Sequence, residues 1–335
     1  MKKFLPLLAF TALFFGCQPD AAKAPDQLRT AVFIPGNLAG SPIYEMMDSG
    51  VRKAAAEIPT ITVKTIEGGF NQATWGEQMT ALAASGEYDL IVTANPAMPE
   101  IAAQIALSFP NQKFLCLEGY IENVPQIAGV MYNHRELGFL LGAFGAKLTE
   151  IRKGSAVIGL IAGQEYPVMN NAILPGFQEG FNLLYPSGTV DFRVVGNWYD
   201  ATKAIELSKA IYRSGAQVIL PIAGGANQGV LTAAKEEGKS VLWYDTNGYD
   251  LEQGVVMGSG LIRQDKAAYE MVVAAAQGKL PFGISKVVGL KEGYIGFNNQ
   301  DPLFLELAPM ELRKFISDLQ DEFIQGKRAL PMILN

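Results

Sequence analysis

From residue 28 onward, short apolar runs alternate with stretches whose apolar positions recur at helical spacing. The runs Thr30–Ile34, Thr60–Ile66, Leu90–Thr93, Phe114–Leu117, Ile127–Tyr132, Ala156–Ile161, Val190–Val195, Val218–Leu220 and Val241–Tyr244 predict strands, several of them apolar enough for burial on both faces. The spacing between them predicts helices, for example over Ala201–Ser214, where Ala204, Ile205, Ser208, Ile211 and Tyr212 line one mostly apolar face. Asp200 can cap that helix and Gly215 can sit just past its end. A second helix is expected over Arg135–Leu148, opened by His134. This alternation predicts an α/β protein with parallel sheets covered by helices on both faces.

The pattern also repeats. Thr30-Ala31-Val32-Phe33-Ile34-Pro35-Gly36-Asn37 parallels the stretch from Ala156 to Gln164, each a strand running into a glycine-containing polar loop. Gly36 and Gly163 lie 127 residues apart (163 − 36), and Ser85-Gly86 and Ser214-Gly215 lie 129 apart (214 − 85). Two similar registers predict two lobes of the same doubly wound type. In such sheets ligands bind beyond the carboxyl ends of the strands, so facing lobes would share one cleft.

The first residues follow a different rule. Met1-Lys2-Lys3 is a short basic segment, and the twelve mostly apolar residues Phe4 to Phe15 are too few to cross about 30 Å of hydrocarbon as a helix. Residues 1–16 therefore read as a signal peptide. The following Leu13-Phe14-Phe15-Gly16-Cys17 resembles a bacterial lipobox in the bulky form found in spirochaetes, which would make Cys17 the acylated first residue and 17–27 a lipidated tether. An ordinary leader with a chance cysteine is the alternative. Cys116, in Phe114-Leu115-Cys116-Leu117, then has no partner and is expected to be a buried, inert thiol.

Composition narrows the chemistry. The 335 residues are 49% hydrophobic and 18% charged, which supports a large core and excludes disorder. The formal charge is −6, or −8 once Lys2 and Lys3 leave with the leader (−6 − 2), with no basic stripe, so nucleic acid is not an expected partner. One histidine and two cysteines cannot build a usual zinc site, and neither a G-x-S-x-G elbow nor a phosphate-binding G-x-x-x-x-G-K-[ST] loop is present. These absences argue against catalysis, and no catalytic cofactor or metal is expected.

Several motifs, taken in order, resemble the basic membrane protein (BMP) family of lipoproteins. Gly163, Pro167, Gly176-Phe177 and Gly180-Phe181 match its GG-x-x-x-P…GF-x-x-GF segment. Gly196-Asn197-Trp198-Tyr199-Asp200, Ala223 to Val230, Trp243 to Asn247, Gly258 to Arg263 and Val288 to Gly293 match later ones, so that the likeness spans roughly residues 28–300. It implies a substrate-binding lipoprotein of an ABC importer, with two periplasmic binding protein type I-like lobes joined by a three-crossover hinge. The lobes are then expected at 28–120 plus 250–282 and at 133–247 plus 286–335, crossing near 118–134, 247–254 and 280–286. The partners implied are an importer permease and its ATPase, with the protein monomeric in the cell envelope, held to the membrane through lipid on Cys17 and facing the periplasm.

The family's nucleoside-binding branch reads its ligand through an Asp-rich D-x-G-x-x-x-D-K-S-F-N segment, where this chain has Pro35 to Glu45: Ser41 replaces an aspartate, Tyr44 the phenylalanine, Asn247 the second Asp of G-V-D-x-D, and Arg263 a lysine. These departures resemble the family's divergent riboflavin-binding branch, so riboflavin is the expected transported ligand. A purine nucleoside is the alternative, and a nucleoside- or flavin-processing hydrolase the alternative of another class. A sugar-responsive repressor shares the two-lobe design but is disfavoured by a leader, rather than a helix-turn-helix, ahead of residue 28. Tyr44 and Trp198 fall where the family sandwiches its base, and Asp245 where it accepts from sugar hydroxyls. Asn37, Asn95, Gln164, Asn227 and Asn247 follow strand-like runs and could read mixed donor and acceptor edges, although each also suits a turn. Ser41 before Pro42 fits an N-cap, and Arg263 could reach a ring carbonyl or pair with Asp265. His134 is expected between the lobes or at the surface rather than on the ligand.

Overall fold

The structure is a computed structural model that describes residues 27–332 and 334. The signal peptide and Cys17 lie outside those residues. Two six-stranded sheets organise the chain. The first comprises β1 (Leu28–Ile34), β2 (Ile61–Glu67), β3 (Leu90–Ala94), β4 (Lys113–Leu117), β5 (Ile127–Tyr132) and β11 (Ser285–Val288), in the order β11-β5-β4-β3-β1-β2, all parallel. The second comprises β6 (Val157–Ala162), β7 (Thr189–Val194), β8 (Val218–Ile222), β9 (Ser240–Trp243), β10 (Val256–Ile262) and β12 (Ile295–Phe297), in the order β12-β10-β9-β8-β6-β7. Only β12 runs antiparallel, against β10. The repeat read from the sequence is the repeat of the fold: β1 lies between β2 and β3 as β6 lies between β7 and β8.

Helices α1 (Pro42–Glu57), α2 (Trp75–Ser85), α3 (Met98–Ser108) and α8 (Gln264–Ala276) cover the first sheet. Its strands sort side chains by alternation: Ala31, Phe33, Ile91 and Cys116 face Trp75, Met79 and Ala102, while Val32, Ile34 and Val92 join the other layer with Met47 and Val51. Helices α4 (His134–Ile151), α5 (Leu174–Asn182), α6 (Ala201–Arg213), α7 (Asn227–Glu236), α9 (Pro302–Leu307) and α10 (Met310–Ile324) cover the second. The expected cap is present on α6, where the Lys203 amide donates to Asp200 Oδ1 at 2.9 Å and Gly215 takes φ 109° beyond the end.

The chain passes between the sheets three times: at Asn133 between β5 and α4, at Arg263 between β10 and α8, and over 289–294 between β11 and β12. This corrects two of the expected boundaries. Residues 256–262, expected in the first lobe, pair with β9 in the second, and 285–288, partly expected in the second lobe, pair with β5 in the first. Gly258, Ser259 and Gly260 broke the apolar pattern that would have announced β10. Those glycines are small because helix α4 and the neighbouring β12 press on them. A Cβ at Gly260 would meet Leu137 and Leu141 at about 3 Å, and one at Gly258 would meet Phe144 and Phe297.

Candidate functional site

All the expected site residues lie at the carboxyl ends of strands or in the segments that follow them, as a doubly wound sheet requires of a ligand site. The loop after β1 carries Asn37 and leads to Ser41 at the start of α1. Ser41 is the N-cap, with Pro42 in the first turn, but its side chain makes no capping bond. The Gly40 amide instead donates to Glu45 Oε1 at 2.9 Å. One turn into the helix, the Tyr44 ring lies over Gly36, whose Cβ would sit 3.2 Å from Cε2 of the tyrosine. Asn95, after β3, holds φ 138°, donates from Nδ2 towards Tyr44 Oη at 3.5 Å, and accepts from the Ala97 amide at 3.0 Å.

The second lobe repeats this device. Trp198, after β7, lays its ring on Gly163 in the loop after β6, where a Cβ would fall 2.6 Å from Cε3. Gly163 is the repeat partner of Gly36, so in each lobe a glycine leaves room for an aromatic platform. Trp198 is 41% exposed, too open for an ordinary core tryptophan, and its other neighbour is Tyr166, ring centroids 6.1 Å apart.

Between these platforms lies a cluster that the sequence reading did not assemble. Glu118 follows β4 at φ 53°, and Asp245 follows β9 at φ 72°, left-handed conformations that cost a glutamate more than an aspartate. His134, 3% exposed at the start of α4, stands between them: its Nε2 is 3.4 Å from Glu118 Oε1, and its Nδ1 is 3.0 Å from Tyr244 Oη. The imidazole stacks on Tyr244 and meets Tyr132 edge-on. It is thus an inter-lobe residue. Desolvation raises the Asp245 carboxyl to about 7, helped by the charge of Glu118 and opposed by His134. Desolvation also raises the phenols of Tyr44, Tyr166 and Tyr244, and the charge of Glu118 acts on all three. The Glu118 carboxylate is therefore shared by groups reaching in from both lobes. Tyr44 borders the cluster directly, and Trp198 borders it through Tyr166.

The remaining expected contacts separate into three kinds. Asn37 and Gln164 are exposed in their loops, and neither side chain makes a hydrogen bond to another described residue. Asn227 uses its Oδ1 to accept from the Ala223 amide at 2.8 Å, which closes the turn after β8, and Asn247 is drawn outward by Asp301, Nδ2 to Oδ2 at 2.8 Å. Arg263 lines a hollow of about 220 Å³ with Lys266, Leu290 and Gln320, and is not among the charges acting on Asp245. No Arg263–Asp265 ion pair forms among the described residues. Sequence reasoning passed over Glu118, Tyr166 and Phe70, the last 76% exposed and 3.9 Å from the Gly36 Cβ position. Glu118 had a signal: it is the first residue after a strand already recognised, in the position that Asn95 and Asp245 occupy after or near theirs.

A larger cavity of about 800 Å³ lies at the opposite, amino ends of the first sheet's strands, lined by Arg29, Tyr88, Asp89, Phe109 and Phe282. Arg29 and Asp89 neutralise each other there at 2.7 Å, so the hollow presents no free charge of theirs to a ligand.

Two doubly wound lobes, three crossings and a polar cluster supplied from both lobes give the periplasmic binding protein type I-like fold. A solved ABC transporter solute-binding protein from Aeropyrum pernix superposes with TM-score 0.77 at 19% identity, covering 92% of this chain and 94% of its own. The chain belongs to the Bmp family, described as ABC transporter substrate-binding protein PnrA-like, whose model matches residues 27–328. Among relatives, the nucleoside-binding protein BmpA of Lactococcus lactis is 23% identical over 73% of this chain and 71% of its own length. Basic membrane protein D of Borreliella burgdorferi is 22% identical over 88% of this chain and 86% of its own. Proteins of this class bind and deliver solutes and do not transform them.

Proposed function

We propose that the cleft captures riboflavin, a flat heterocycle carrying a polyol, and presents it to the permease and ATPase of an ABC importer. The observation that carries this reading is the paired arrangement of Tyr44 on Gly36 and Trp198 on Gly163, one aromatic platform per lobe, on either side of the Glu118–Asp245 cluster. A planar ring gains about 1–3 kcal/mol from each aromatic it stacks on, and an indole offers a wider face than a phenyl. The ribityl hydroxyls are donors, and the two carboxylates are acceptors. Asn95, which donates towards Tyr44 Oη at 3.5 Å, and Asn37, in the loop before α1, are the amides that would serve the edges of a uracil-like moiety. The protein works as a monomer held to the envelope membrane by lipid on Cys17, facing the periplasm.

A purine nucleoside is the second reading, favoured by the Lactococcus relative and by the same acceptor pair. Titration of riboflavin fluorescence with the full chain in detergent separates the two. Saturable quenching with one site per chain supports riboflavin. No quenching, together with heat released on adding inosine, transfers the assignment to the nucleoside.

A further inference from the structure

Resting on the reading of the cleft just given, we propose that Glu118 is a specificity-determining residue which, with Asp245, makes the polyol end of the cleft an acceptor-only pocket that admits the free hydroxylated ligand and rejects its phosphate ester. Neither carboxylate accepts a hydrogen bond from any described residue, so the lone pairs of both remain available to donors. The contact recorded for Glu118 is the 3.4 Å approach to His134. Two buried polar groups beside it also have no hydrogen-bond partner among the described residues: the Tyr132 hydroxyl, on a residue with no exposed surface, and Nε2 of His134. Tyr132 feels the charge of Glu118, which places its hydroxyl in the same cluster. The backbone at Glu118 adopts a left-handed conformation uncommon for a long side chain, and here it accompanies a carboxylate turned towards the second lobe's His134.

The charges around the pair decide what it can hold. Those acting on Asp245 are Glu118 and His134, and Arg263 lies in its separate hollow. A phosphate brought to this end of the cleft would meet two carboxylates and at most one imidazolium, since among the described residues no arginine or lysine lies within 4.0 Å of either carboxylate. Hydroxyl groups, by contrast, donate to both carboxylates. Discrimination of this kind works by placing a repulsive element against the wrong ligand as well as an attractive one for the right ligand. Asp245 supplies half of the pocket from the second lobe, and Glu118 supplies the other half from the first, its charge reaching Asp245 across the boundary between them.

The test measures two ratios with the full chain in detergent: flavin mononucleotide against riboflavin by fluorescence, and inosine monophosphate against inosine by calorimetry. The wild-type protein is expected to bind the phosphorylated partner at least about 100-fold more weakly at pH 8. Glu118→Gln, close in shape, should narrow that ratio by about tenfold or more while its melting temperature stays near that of the wild type. Glu118→Asp, which keeps the charge, should preserve the discrimination and thereby separates charge from fold. Equal binding of ester and free ligand by the wild type, or an unchanged ratio in Glu118→Gln, overturns the proposal. Binding of inosine without riboflavin overturns the riboflavin reading alone, because the inosine pair still reports on Glu118. If none of the four ligands binds, both fall.

Discussion

The ring of Trp198 rests on the backbone of Gly163, so close that a single methyl group at residue 163 would stand 2.6 Å from Cε3 of the indole. The contact covers part of the indole, and the side chain remains 41% exposed. Trp198→Ala should therefore weaken ligand binding by about 1–3 kcal/mol. Because the side chain is 41% exposed, the same change should move the unfolding midpoint little. Gly163→Ala should act through the ring, displacing it and reducing affinity with the tryptophan still present. Calorimetric titration of the two variants, alone and combined, checks this. A double variant no worse than Trp198→Ala marks one shared platform, whereas additive losses would separate the two residues.

A second set of glycines concerns stability alone. On α4 and α5, Gly142 faces the Phe177 carbonyl, where a Cβ would lie 2.1 Å away, and Gly180 faces the Phe139 carbonyl at 2.0 Å. The Gly176-Phe177…Gly180-Phe181 motif is thus a device for close helix packing in the second lobe, with both phenylalanines fully buried. Backbone cannot retreat as a flexible side chain can, so Gly180→Ala should destabilise the protein by about 2–3 kcal/mol. Ligand affinity of the folded fraction should stay unchanged. Denaturant unfolding with and without ligand distinguishes this outcome from damage to the cleft.

The fold was legible where apolar runs were uninterrupted. Ile127–Tyr132 is the strand expected, and Asp200 caps α6 as expected. It was illegible where packing demanded glycine, as in β10, whose Gly258 and Gly260 look like a loop until Leu137 and Phe144 are seen lying on them. The site divided in the same way. Tyr44, Trp198 and Asp245 follow strands that the apolar runs predict, and it was the likeness to the BMP family that singled them out. The role of an amide could not, because its partner comes from elsewhere in the chain: Asn247 is captured by Asp301, 54 residues on, and Asn227 by its own turn. Glu118 and His134 meet only because the first crossing brings the end of β4 beside the start of α4, a relation with no sequence periodicity.

Cys116 has no exposed surface among Phe114, Ile91 and Ile127, and burial pushes its thiol up to about 12. A thiol with so little thiolate is unreactive. Native protein should show no Cys116 reaction with a disulfide reagent over hours, and one equivalent should appear on unfolding. The same assay reports on the lipid anchor, since an acylated Cys17 contributes no thiol in either state. A second equivalent in denaturant would mean that Cys17 is free.

Asp245 links the cleft to pH. Its carboxyl, raised to about 7 by desolvation and then by Glu118, is largely protonated at pH 6 and largely ionised at pH 8. If the ligand's hydroxyls select the ionised form, the competent fraction rises from about one in eleven to about ten in eleven, and affinity should improve about tenfold across that interval. The ligand-free protein should respond in the opposite sense. An unfolded aspartate releases its proton near 3.9, so between about pH 4 and 7 the native state binds more protons than the unfolded one. Its stability therefore falls as pH rises through that window, and the full penalty remains above it. Asp245→Asn should remove both effects, flattening the affinity profile at a weak value and stabilising the empty protein at pH 8 by on the order of 1–3 kcal/mol. Calorimetry in buffers of different ionisation enthalpy should detect proton release on binding near pH 7 in the wild type and none in the variant. A flat wild-type affinity profile between pH 6 and 8 would show that Asp245 does not accept from the ligand.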